Sequence, residues 1–395
     1  MRIAFDGRSL ASQVLRGWDR YAVGLIGGLV RQGVEVTLFH RARQPLHGPH
    51  TADLGCRVVG LSDLGGHYFE QVAVPLALRR GKFDLYHAPF ERGVPLLSPC
   101  PVVLTIHSVT TQSYEDLVRR GLLPGPVRAY LGYEVHHWSL DAITWHLQIN
   151  RAHHILTPSE FCRGEVIRLL RIPPDRVTAT PLAVDEQFLR PAHPEPVRAA
   201  TLGRLGVRKP YLLFVGGYEP HKNVRGLLES FALIRAERPD LSLVVVGSKS
   251  LPEGVRRDAE RLGLRPGREV VFLVNITEEL VDLYDDAELM VTLSWRETFC
   301  LPALEAMSRG VPVVASIWGA SPEVIAEAGR LVDPRDPAAA KVAIAELLAA
   351  NAHADRASLR RRLQARAQRF DWEATATQTI AIYERLIHKY SGCTL

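Results

Sequence analysis

The sequence predicts an α/β protein with parallel sheets, divided into two domains, and three observations support this. Strand-like apolar runs and helix-like amphipathic runs alternate almost throughout the chain, as in βαβ proteins. A chain of 395 residues also exceeds what one hydrophobic core usually supports. The alternation restarts after a stretch rich in proline, alanine and arginine. We therefore expect domains over residues 1–189 and 211–370, joined by a linker at 190–210.

Each half has its own set of alternating elements. In the first half the strand candidates are 3–5, 34–39, 57–59, 84–87, 102–106 and 154–157, and the helix candidates are 21–31 and 159–170. In the second half the strand candidates are 211–215, 241–246, 270–273, 288–294 and 311–315, and the helix candidates are 223–237, 255–262 and 301–308. Pro302 fits the first turn of the last of these helices and Gly310 fits its end. A further helix is predicted at 371–390.

Composition and charge exclude several classes of protein. The chain is 47% hydrophobic and 23% charged, which is typical of a soluble globular protein. Its net charge of +5 fits anionic substrates or an acidic membrane surface but does not require nucleic acid, and we expect no nucleic-acid partner. No apolar run approaches the roughly 18 residues that span a bilayer. The start, Met1–Gly7, is typical of a strand and a turn and not of a signal peptide.

Cysteine and histidine usage predicts a reduced, cytoplasmic protein without a metal site. The five cysteines are scattered, odd in number and contain no C-x-x-C pair. The 15 histidines include adjacent pairs that point in different directions on a helix, so we interpret them as surface or packing residues.

The most informative stretch is Glu297–Met307, which places two carboxylates eight positions apart across a loop and a helix start. A helix N-terminus at the edge of a parallel sheet favours a phosphate, because its free N–H groups and its dipole attract anions. Helical side chains lean toward the N-terminus, so Glu305 can reach a polyol bound just outside the helix. Glu297 lies on the loop that faces the same crevice. The two carboxylates suit a nucleotide-sugar, although an isolated pair is more often simply solvated.

These residues, followed by the run G-V-P-V-V-A-S at 310–316, resemble the donor-site signature of the retaining glycosyltransferases of family 4. The resemblance implies the GT-B fold, in which two Rossmann-like, doubly wound domains face each other across a cleft. Residues 1–189 would form the acceptor side and 211–370 the nucleotide-sugar side. Residues 371–395 would supply a helix that crosses back to the first domain.

The resemblance also implies an activity. The enzyme would move a hexose of the mannose or glucose type from a nucleotide-diphosphate sugar to a hydroxyl of a glycan, lipid-linked or small-molecule acceptor. Transfer would retain the anomeric configuration and would need no cofactor and no metal. It implies that Glu297 contacts the donor sugar, and Glu305 is expected at the ribose. The loop and the helix start between them supply the remaining donor contacts, namely Thr298, Phe299, Cys300 and Leu301.

The segment 216–223 links a strand to a helix and resembles the family's second donor motif. Asn223 is a good N-cap, and Lys222 stands at that helix N-terminus, where its ammonium can meet a phosphate. The resemblance implies that Lys222 neutralises the leaving diphosphate, whereas a lysine in this position is otherwise usually solvated. Further donor contacts are expected at Gly216, Gly217 and His221. Many members carry an arginine at the position of Gly217, and we interpret His221 as a partial substitute for its charge.

Two motifs of the first half point to the same cleft. The run Thr105–Ser108 ends an apolar strand and resembles the family's T-x-H-D motif, which implies that His107 lines the cleft near the transferred sugar with a catalytic role. The alternative is a histidine satisfied by the backbone. The loop Arg16–Tyr21 resembles G-x-x-R-Y, which implies that Gly17 lets the backbone approach the donor phosphates or the acceptor.

Several positions depart from the family pattern. Its usual E-G-F-G appears here with Thr298 and Cys300 in the glycine positions, and Ala183 and Val274 also stand where glycine is usual. These departures leave the donor base and the donor sugar open. Two alternatives on the same fold stay open as other enzyme classes, a nucleotide-sugar epimerase and a sugar phosphorylase. The altered positions Gly217 and Cys300 also keep open a non-catalytic scaffold with the GT-B fold.

The segment 116–150 is the candidate acceptor region. Its basic and aromatic residues suit the surface of an anionic membrane, and therefore peripheral membrane contact and a lipid-linked acceptor. The alternative is a pair of helices that bury the same aromatic residues in the core or in a contact between protomers. The residues concerned are Arg119, Arg120, Leu122, Leu123, Arg128, Tyr130, Leu131, Tyr133, Trp138, Ile143 and Trp145. The oligomeric state is left open.

Overall fold

The structure is a computed structural model that describes residues 1–12, 15–47, 51–123, 140–247, 250–352 and 356–391. Of the candidate acceptor residues, Arg128, Tyr130, Leu131, Tyr133 and Trp138 lie outside the described residues, as does the side chain of Ile143. The chain divides into two compact units. The first unit comprises Met1–Ser113, Val127–Ala183 and Phe370–Leu395, and the second comprises Tyr114–Pro126 and Val184–Arg369.

Each unit is built on one parallel sheet. The strands of the first sheet are β1 (Arg2–Asp6), β2 (Glu35–Arg41), β3 (Arg57–Leu61), β4 (Leu85–Ala88), β5 (Val102–Thr105), β6 (His154–Thr157) and β7 (Val177–Ala179), in the order β3-β2-β1-β4-β5-β6-β7. Those of the second are β8 (Tyr211–Val215), β9 (Ser242–Gly247), β10 (Val270–Val274), β11 (Leu289–Thr292), β12 (Val313–Ser316) and β13 (Arg330–Val332), in the order β10-β9-β8-β11-β12-β13. The predicted α/β architecture with parallel sheets is confirmed.

Helices connect the strands. They are α1 (Gly17–Arg31), α2 (Val74–Gly81), α3 (Thr110–Arg119), α4 (Leu140–Arg151), α5 (Glu160–Leu170), α6 (Glu195–Arg204), α7 (Val224–Glu237), α8 (Glu253–Arg261), α9 (Leu280–Asp285), α10 (Leu301–Ser308), α11 (Ser321–Ile325), α12 (Pro337–Ala352), α13 (Arg356–Ala367) and α14 (Trp372–Ser391). The helical turns Gly66–Tyr68 and Phe69–Ala73 lead directly into α2. In the described part of the chain, no helix is both long enough and apolar enough to cross a bilayer.

The central strands of both sheets are apolar on both faces. In β1, Ile3, Ala4 and Phe5 are fully buried, and in β8 the four residues from Tyr211 are fully buried. Strands of this kind belong to parallel sheets that helices cover on both sides. Full burial of one such Ile or Phe side chain contributes about 1.5–3 kcal/mol, so these strands anchor the two cores.

The last helix, α14, packs on the first unit as the sequence predicts. The Trp372 indole lies against α1 at Gly24, where a Cβ atom would fall 2.1 Å from the ring. Thr375 Oγ1 donates a hydrogen bond of 2.7 Å to the carbonyl of Pro181. The glycine therefore admits the indole, and the return of the chain to the first unit is confirmed.

Two helix ends of the second unit follow the predicted signals. Asn223 caps α7, because its side-chain oxygen accepts a 3.2 Å hydrogen bond from the Gly226 amide. Its Nδ2 also donates to the carbonyl of Leu293 at 2.9 Å, which ties the start of α7 to the residues that follow β11. Gly310 follows α10 with a φ of +73°, a conformation that glycine adopts at little cost.

The predicted linker region contains a helix that the sequence pattern did not indicate. Helix α6 packs beside α9, where the guanidinium of Arg198 lies 3.2 Å from the carboxylate of Asp286. His193 Nδ1 lies 2.7 Å from Asp282 Oδ1. Of the residues in α6 only Thr201 and Leu202 are buried, so the helix lacks the apolar stripe by which helices are recognised in a sequence. The predicted domain boundaries stay predictions.

Candidate active site

Lys222 and Glu297 form an ion pair at the carboxyl edge of the second sheet. The Lys222 ammonium lies 2.9 Å from Oε1 and 3.0 Å from Oε2 of Glu297. Lys222 ends the short helical turn Pro220–Lys222 after β8, and Glu297 lies on the loop after β11. Because β8 and β11 are neighbours in the sheet, residues 75 positions apart in sequence meet at one edge. Ligands of doubly wound sheets bind at this edge.

The electrostatics keep both partners charged. Burial opposes the charge on each group, but their mutual attraction raises the pKa of Lys222 and lowers the pKa of Glu297 relative to their ordinary values. Ser294 Oγ donates a 2.7 Å hydrogen bond to Glu297 Oε1 and also favours the carboxylate. The side chains of Lys222 and Glu297 are 19% and 11% exposed, so an incoming ligand can reach the pair.

The backbone of Glu297 is held by the loop after β12. The Ala320 amide donates to the Glu297 carbonyl at 2.8 Å. The preceding residue, Gly319, has a φ of +76°, and a Cβ atom there would lie 2.5 Å from the Glu297 nitrogen. Both facts require glycine at this position. The conformation of the loop that carries Glu297 therefore depends on a close backbone contact that only glycine permits.

Cys300 precedes α10 in a left-handed conformation, with a φ of 78°. This conformation costs a residue with a side chain about 1–2 kcal/mol, which agrees with the resembling family's use of glycine at this position. The thiol is buried, and burial followed by the charge of Glu297 raises its pKa to about 12. The thiol is therefore protonated near neutral pH. Beside it, Phe299 is buried, Thr298 is half-buried, and Leu301 begins α10.

Glu305 lies deeper than the sequence suggests. Its side chain is only 1% exposed, and Oε2 accepts a 2.7 Å hydrogen bond from the hydroxyl of Tyr284 on α9. The Tyr284 hydroxyl also donates to the carbonyl of Pro302 at 3.2 Å. The sequence analysis missed Tyr284, because nothing in the pattern of α9 marks one of its apolar residues as a partner of α10. Contact between Glu305 and a ribose stays a prediction.

The Gly216–His221 loop carries no extra cation. The carboxylate of Glu219 lies over Gly217, where a Cβ atom would fall 1.8 Å from its oxygen. The His221 Nδ1 atom lies 2.8 Å from the hydroxyl of Tyr114. Burial, followed by the positive charge of Lys222, lowers the pKa of His221 to about 3, so its ring is neutral near pH 7. A neutral ring offers a phosphate a hydrogen bond and no full charge, and the role of His221 in donor binding stays a prediction.

The other two site candidates belong to the first unit. His107 donates from Nε2 to the Pro89 carbonyl at 2.8 Å, which makes Nδ1 the acceptor atom of the ring. Burial lowers its pKa although Glu91 acts in the opposite direction, so the ring is neutral near pH 7. This hydrogen bond to a backbone carbonyl agrees with the alternative interpretation, in which the backbone satisfies His107. Gly17 is the first residue of α1, and a Cβ atom there would meet nothing within 4 Å. The roles expected for His107 and Gly17 stay predictions.

Within the second unit, the structure thus brings together the side chains of Lys222, Glu297 and Ser294, with Cys300 adjacent. Ser294 was not among the predicted site residues, although it is the last residue of the strand-like run 288–294 that leads to Glu297. Among the described residues, no group of three or more His, Cys, Asp and Glu side chains is arranged to hold a metal ion.

The fold and this site define a class of protein, and comparison with known families identifies it. The model for glycosyl transferases group 1 matches residues 203–370, and the model for glycosyltransferase family 4 matches residues 15–188. The chain is 32% identical over 410 residues to D-inositol 3-phosphate glycosyltransferase 2 of Catenulispora acidiphila, covering 94% of this chain and 90% of that protein. The chain belongs to the group 1, family 4 glycosyltransferases.

Two further relatives share shorter regions. The O-antigen chain mannosyltransferase B of Escherichia coli is 36% identical over 244 residues, which cover 61% of this chain and 63% of that protein, less than two thirds of its length. The MMP α-(1→4)-mannosyltransferase of Mycolicibacterium hassiacum is 30% identical over 331 residues, covering 80% of this chain and 74% of that protein.

Solved structures confirm the predicted GT-B fold. A glycosyltransferase from Rickettsia africae superimposes with a TM-score of 0.74 at 14% identity, covering 98% of both chains. Anabaena Alr3699/HepE, solved in complex with UDP and glucose, superimposes with a TM-score of 0.70 at 18% identity, covering 98% of this chain and 100% of that one. At these identities the likeness establishes the fold alone.

Proposed function

We propose that the protein transfers a hexosyl residue from a nucleoside-diphosphate sugar to a hydroxyl of a glycan, lipid-linked or small-molecule acceptor, with retention of the anomeric configuration. The observation that carries the proposal is the Lys222–Glu297 ion pair, which is desolvated, charged and within reach of a ligand. A buried ammonium beside a helix start suits a diphosphate, and a carboxylate in contact with it suits sugar hydroxyls.

In the proposed reaction, Lys222 and the positive N-terminal end of α10 receive the diphosphate. The bond between the anomeric carbon and the diphosphate oxygen breaks, and the negative charge that develops on the leaving group is stabilised by the ammonium. Fixed positive groups of this kind often provide the largest share of a rate enhancement. The acceptor oxygen bonds to the same face of the anomeric carbon, and its proton passes to the departing phosphate oxygen. Glu297 orients the sugar.

The family relatives support a hexose and favour mannose. Two of them are named mannosyltransferases, from Escherichia coli and Mycolicibacterium hassiacum. The complex of Anabaena Alr3699/HepE with UDP-glucose illustrates a glucose donor on the same fold. A donor of the mannose or glucose type is therefore proposed, with the base left to experiment.

We propose that transfer needs no divalent metal. The protein itself supplies positive charge at the edge of the sheet, through Lys222 and the positive end of the α10 helix dipole. A cytoplasmic location and contact with the surface of an anionic membrane stay predictions.

The first test is donor binding. Calorimetry with GDP-mannose and UDP-glucose should detect one of the two, and Glu305→Gln should weaken that binding about 10- to 150-fold, the equivalent of about 1.5–3 kcal/mol for a lost charged hydrogen bond. Glu346→Gln, which alters an exposed carboxylate of the same unit, is the matched control and should bind like the parent protein. Unchanged affinity in folded Glu305→Gln would exclude the ribose contact, and failure to bind any nucleotide-sugar would contradict the proposed function.

A further inference from the structure

The loop after β4 holds His107 at two points. The Pro89 carbonyl accepts the 2.8 Å hydrogen bond from Nε2 of the His107 ring. Two residues further on, Glu91 Oε1 accepts hydrogen bonds from the backbone amides of His107 at 2.9 Å and of Ser108 at 3.0 Å. Nothing in the sequence pattern marks Glu91 as a partner of this histidine. The ring and the backbone of His107 are therefore fixed by the same short loop.

These two amides need a partner because the chain leaves the sheet at the end of β5. The amide of Ile106 still donates to the Leu156 carbonyl of the neighbouring strand β6 at 2.9 Å. The next two amides donate to Glu91 instead of to a strand. A carboxylate forms shorter and stronger hydrogen bonds with backbone amides than a neutral acceptor does. One half-buried carboxylate thus fixes the backbone at which His107 leaves the sheet.

The other contacts of His107 leave one ring atom for a ligand. The Cys162 thiol on α5 donates to the His107 carbonyl at 3.6 Å. The Tyr21 ring packs nearly perpendicular to the His107 ring, with 4.9 Å between the ring centres. Tyr21 is itself held, because its hydroxyl lies 3.0 Å from Thr105 Oγ1. Among the described residues, Nδ1 of His107 has no hydrogen-bond partner, so this atom can accept a hydrogen bond from a hydroxyl of a substrate.

A buried network anchors the loop itself. Gly93 has a φ of +101°, and a Cβ atom there would lie 2.5 Å from Asp6 Oδ2 and 2.9 Å from Arg8 Nη2. Arg8 Nη2 donates to Asp6 Oδ2 and to Glu70 Oε1, both at 2.8 Å. The second oxygen of Glu70 accepts a 2.7 Å hydrogen bond from Gln148 Nε2. A shift of the loop would disturb this network, so both of its contacts to the histidine are held in place.

From this geometry we infer that Glu91 is a positioning residue for the transfer reaction. Its carboxylate holds the backbone of His107 so that the ring stays bonded to the Pro89 carbonyl and Nδ1 stays in one place as an acceptor for a sugar hydroxyl. Glu91 acts through His107, and the inference therefore rests on the proposed function through the role expected for that histidine. The alternative is that Glu91 only caps the turn before α3 and stabilises the fold.

The first measurement is NMR of protein labelled with nitrogen-15 in its histidines, which follows exchange of the His107 Nε2–H proton with water. The signal is assigned by its loss in His107→Gln. Glu91→Ala should speed this exchange at least about tenfold, because the ring is no longer held against the Pro89 carbonyl. Glu91→Gln keeps an oxygen that can accept from both amides, and its exchange should stay within about twofold of that of the parent protein.

The second measurement is release of nucleoside diphosphate from GDP-mannose or UDP-glucose with water as the acceptor. Glu91→Ala should lower kcat at least about tenfold, and Glu91→Gln should restore it to within about threefold of the parent. Donor affinity by calorimetry should change less than about twofold in both variants, because the Lys222–Glu297 pair lies in the other unit. Glu384→Ala, at an exposed carboxylate of the same unit, is the matched control and should equal the parent in all three measurements.

Three results would overturn the inference: the Nε2–H exchange of Glu91→Ala stays within about twofold of that of the parent, its kcat equals that of the parent, or Glu91→Gln loses as much turnover as Glu91→Ala. If Glu91→Ala does not fold, Glu91→Asp decides, because its carboxylate is one methylene too short to keep both amides and should still speed the exchange. A parent that neither binds nor turns over a nucleotide-sugar contradicts the proposed function, and the ring signal then still decides whether Glu91 positions His107.

Discussion

The two units place charge at the carboxyl edges of their sheets in different ways. In the second unit, one cation meets one carboxylate, and both side chains keep some exposure. In the first unit, Arg8 is bound by two carboxylates, one of which is in turn bound by an amide, and aromatic rings flank the guanidinium. In the Lys222–Glu297 pair, Lys222 can exchange its partner for an incoming diphosphate. The network around Arg8, in contrast, holds its geometry. We therefore expect a ligand to perturb the Lys222–Glu297 pair, and we expect the network around Arg8 to stabilise the first unit.

The largest effect on stability should come from breaking the network around Arg8. Arg8→Leu leaves the Asp6 and Glu70 carboxylates buried without their cation, and such a loss typically lowers the free energy of unfolding by about 3–5 kcal/mol. Chemical unfolding measures it. Arg92→Leu, at an exposed arginine of the same unit, should change the free energy of unfolding by less than about 0.5 kcal/mol. Equal stability of the two variants would show that the network does not hold the unit together.

The next largest effect should come from breaking the pair of Lys222 and Glu297. Lys222→Ala should lower turnover by a factor on the order of a hundred or more, because the developing charge on the diphosphate loses its ammonium. The double variant Lys222→Ala with Glu297→Gln removes the unpaired carboxylate and should recover stability without recovering turnover. Steady-state rates and chemical unfolding of both variants decide this. Turnover within about fivefold of the parent would contradict the role of Lys222.

The smallest effect concerns Gly17 in the first unit. A Cβ atom there meets no neighbour, so Gly17→Ala should change the free energy of unfolding by no more than about 1 kcal/mol. If the backbone approaches the donor phosphates or the acceptor at this point, the added methyl group should still lower kcat/KM about tenfold. Gly164→Ala on α5, an exposed glycine of the same unit whose added Cβ atom would also meet nothing within 4 Å, serves as a control for changes in helix propensity alone. An unchanged kcat/KM in Gly17→Ala would remove Gly17 from the site.

The sequence predicts the part of the site whose residues lie close together in one short segment. Glu297, Cys300 and Glu305 lie within one loop and one helix, and the signals for Asn223 and Gly310 are equally local. The network around Arg8 could not be predicted, because Glu70 and Gln148 come from distant segments and only the fold brings them to β1. A weak signal was present in Asp6 and Arg8, two opposite charges that directly follow an apolar strand.

Some secondary-structure elements were missed because they, too, give no clear local signal in the sequence. Strands β7 and β13 have three residues each, too few to produce a period. Helix α12 is rich in alanine and has no sharply polar face, so its pattern does not separate it from a buried strand or a loop. The burial of Glu305 was missed for another reason, because it depends on Tyr284 from a separate helix.

The proposed function is that the protein transfers a sugar with retention and without a metal ion. The most direct test is to follow transfer from an α-linked nucleotide-sugar, in the presence of EDTA, by proton NMR of the first product formed. The account predicts an α-linked product and a rate that EDTA does not change. A β-linked product, or a rate that is lost with EDTA and restored by a divalent metal, would contradict it.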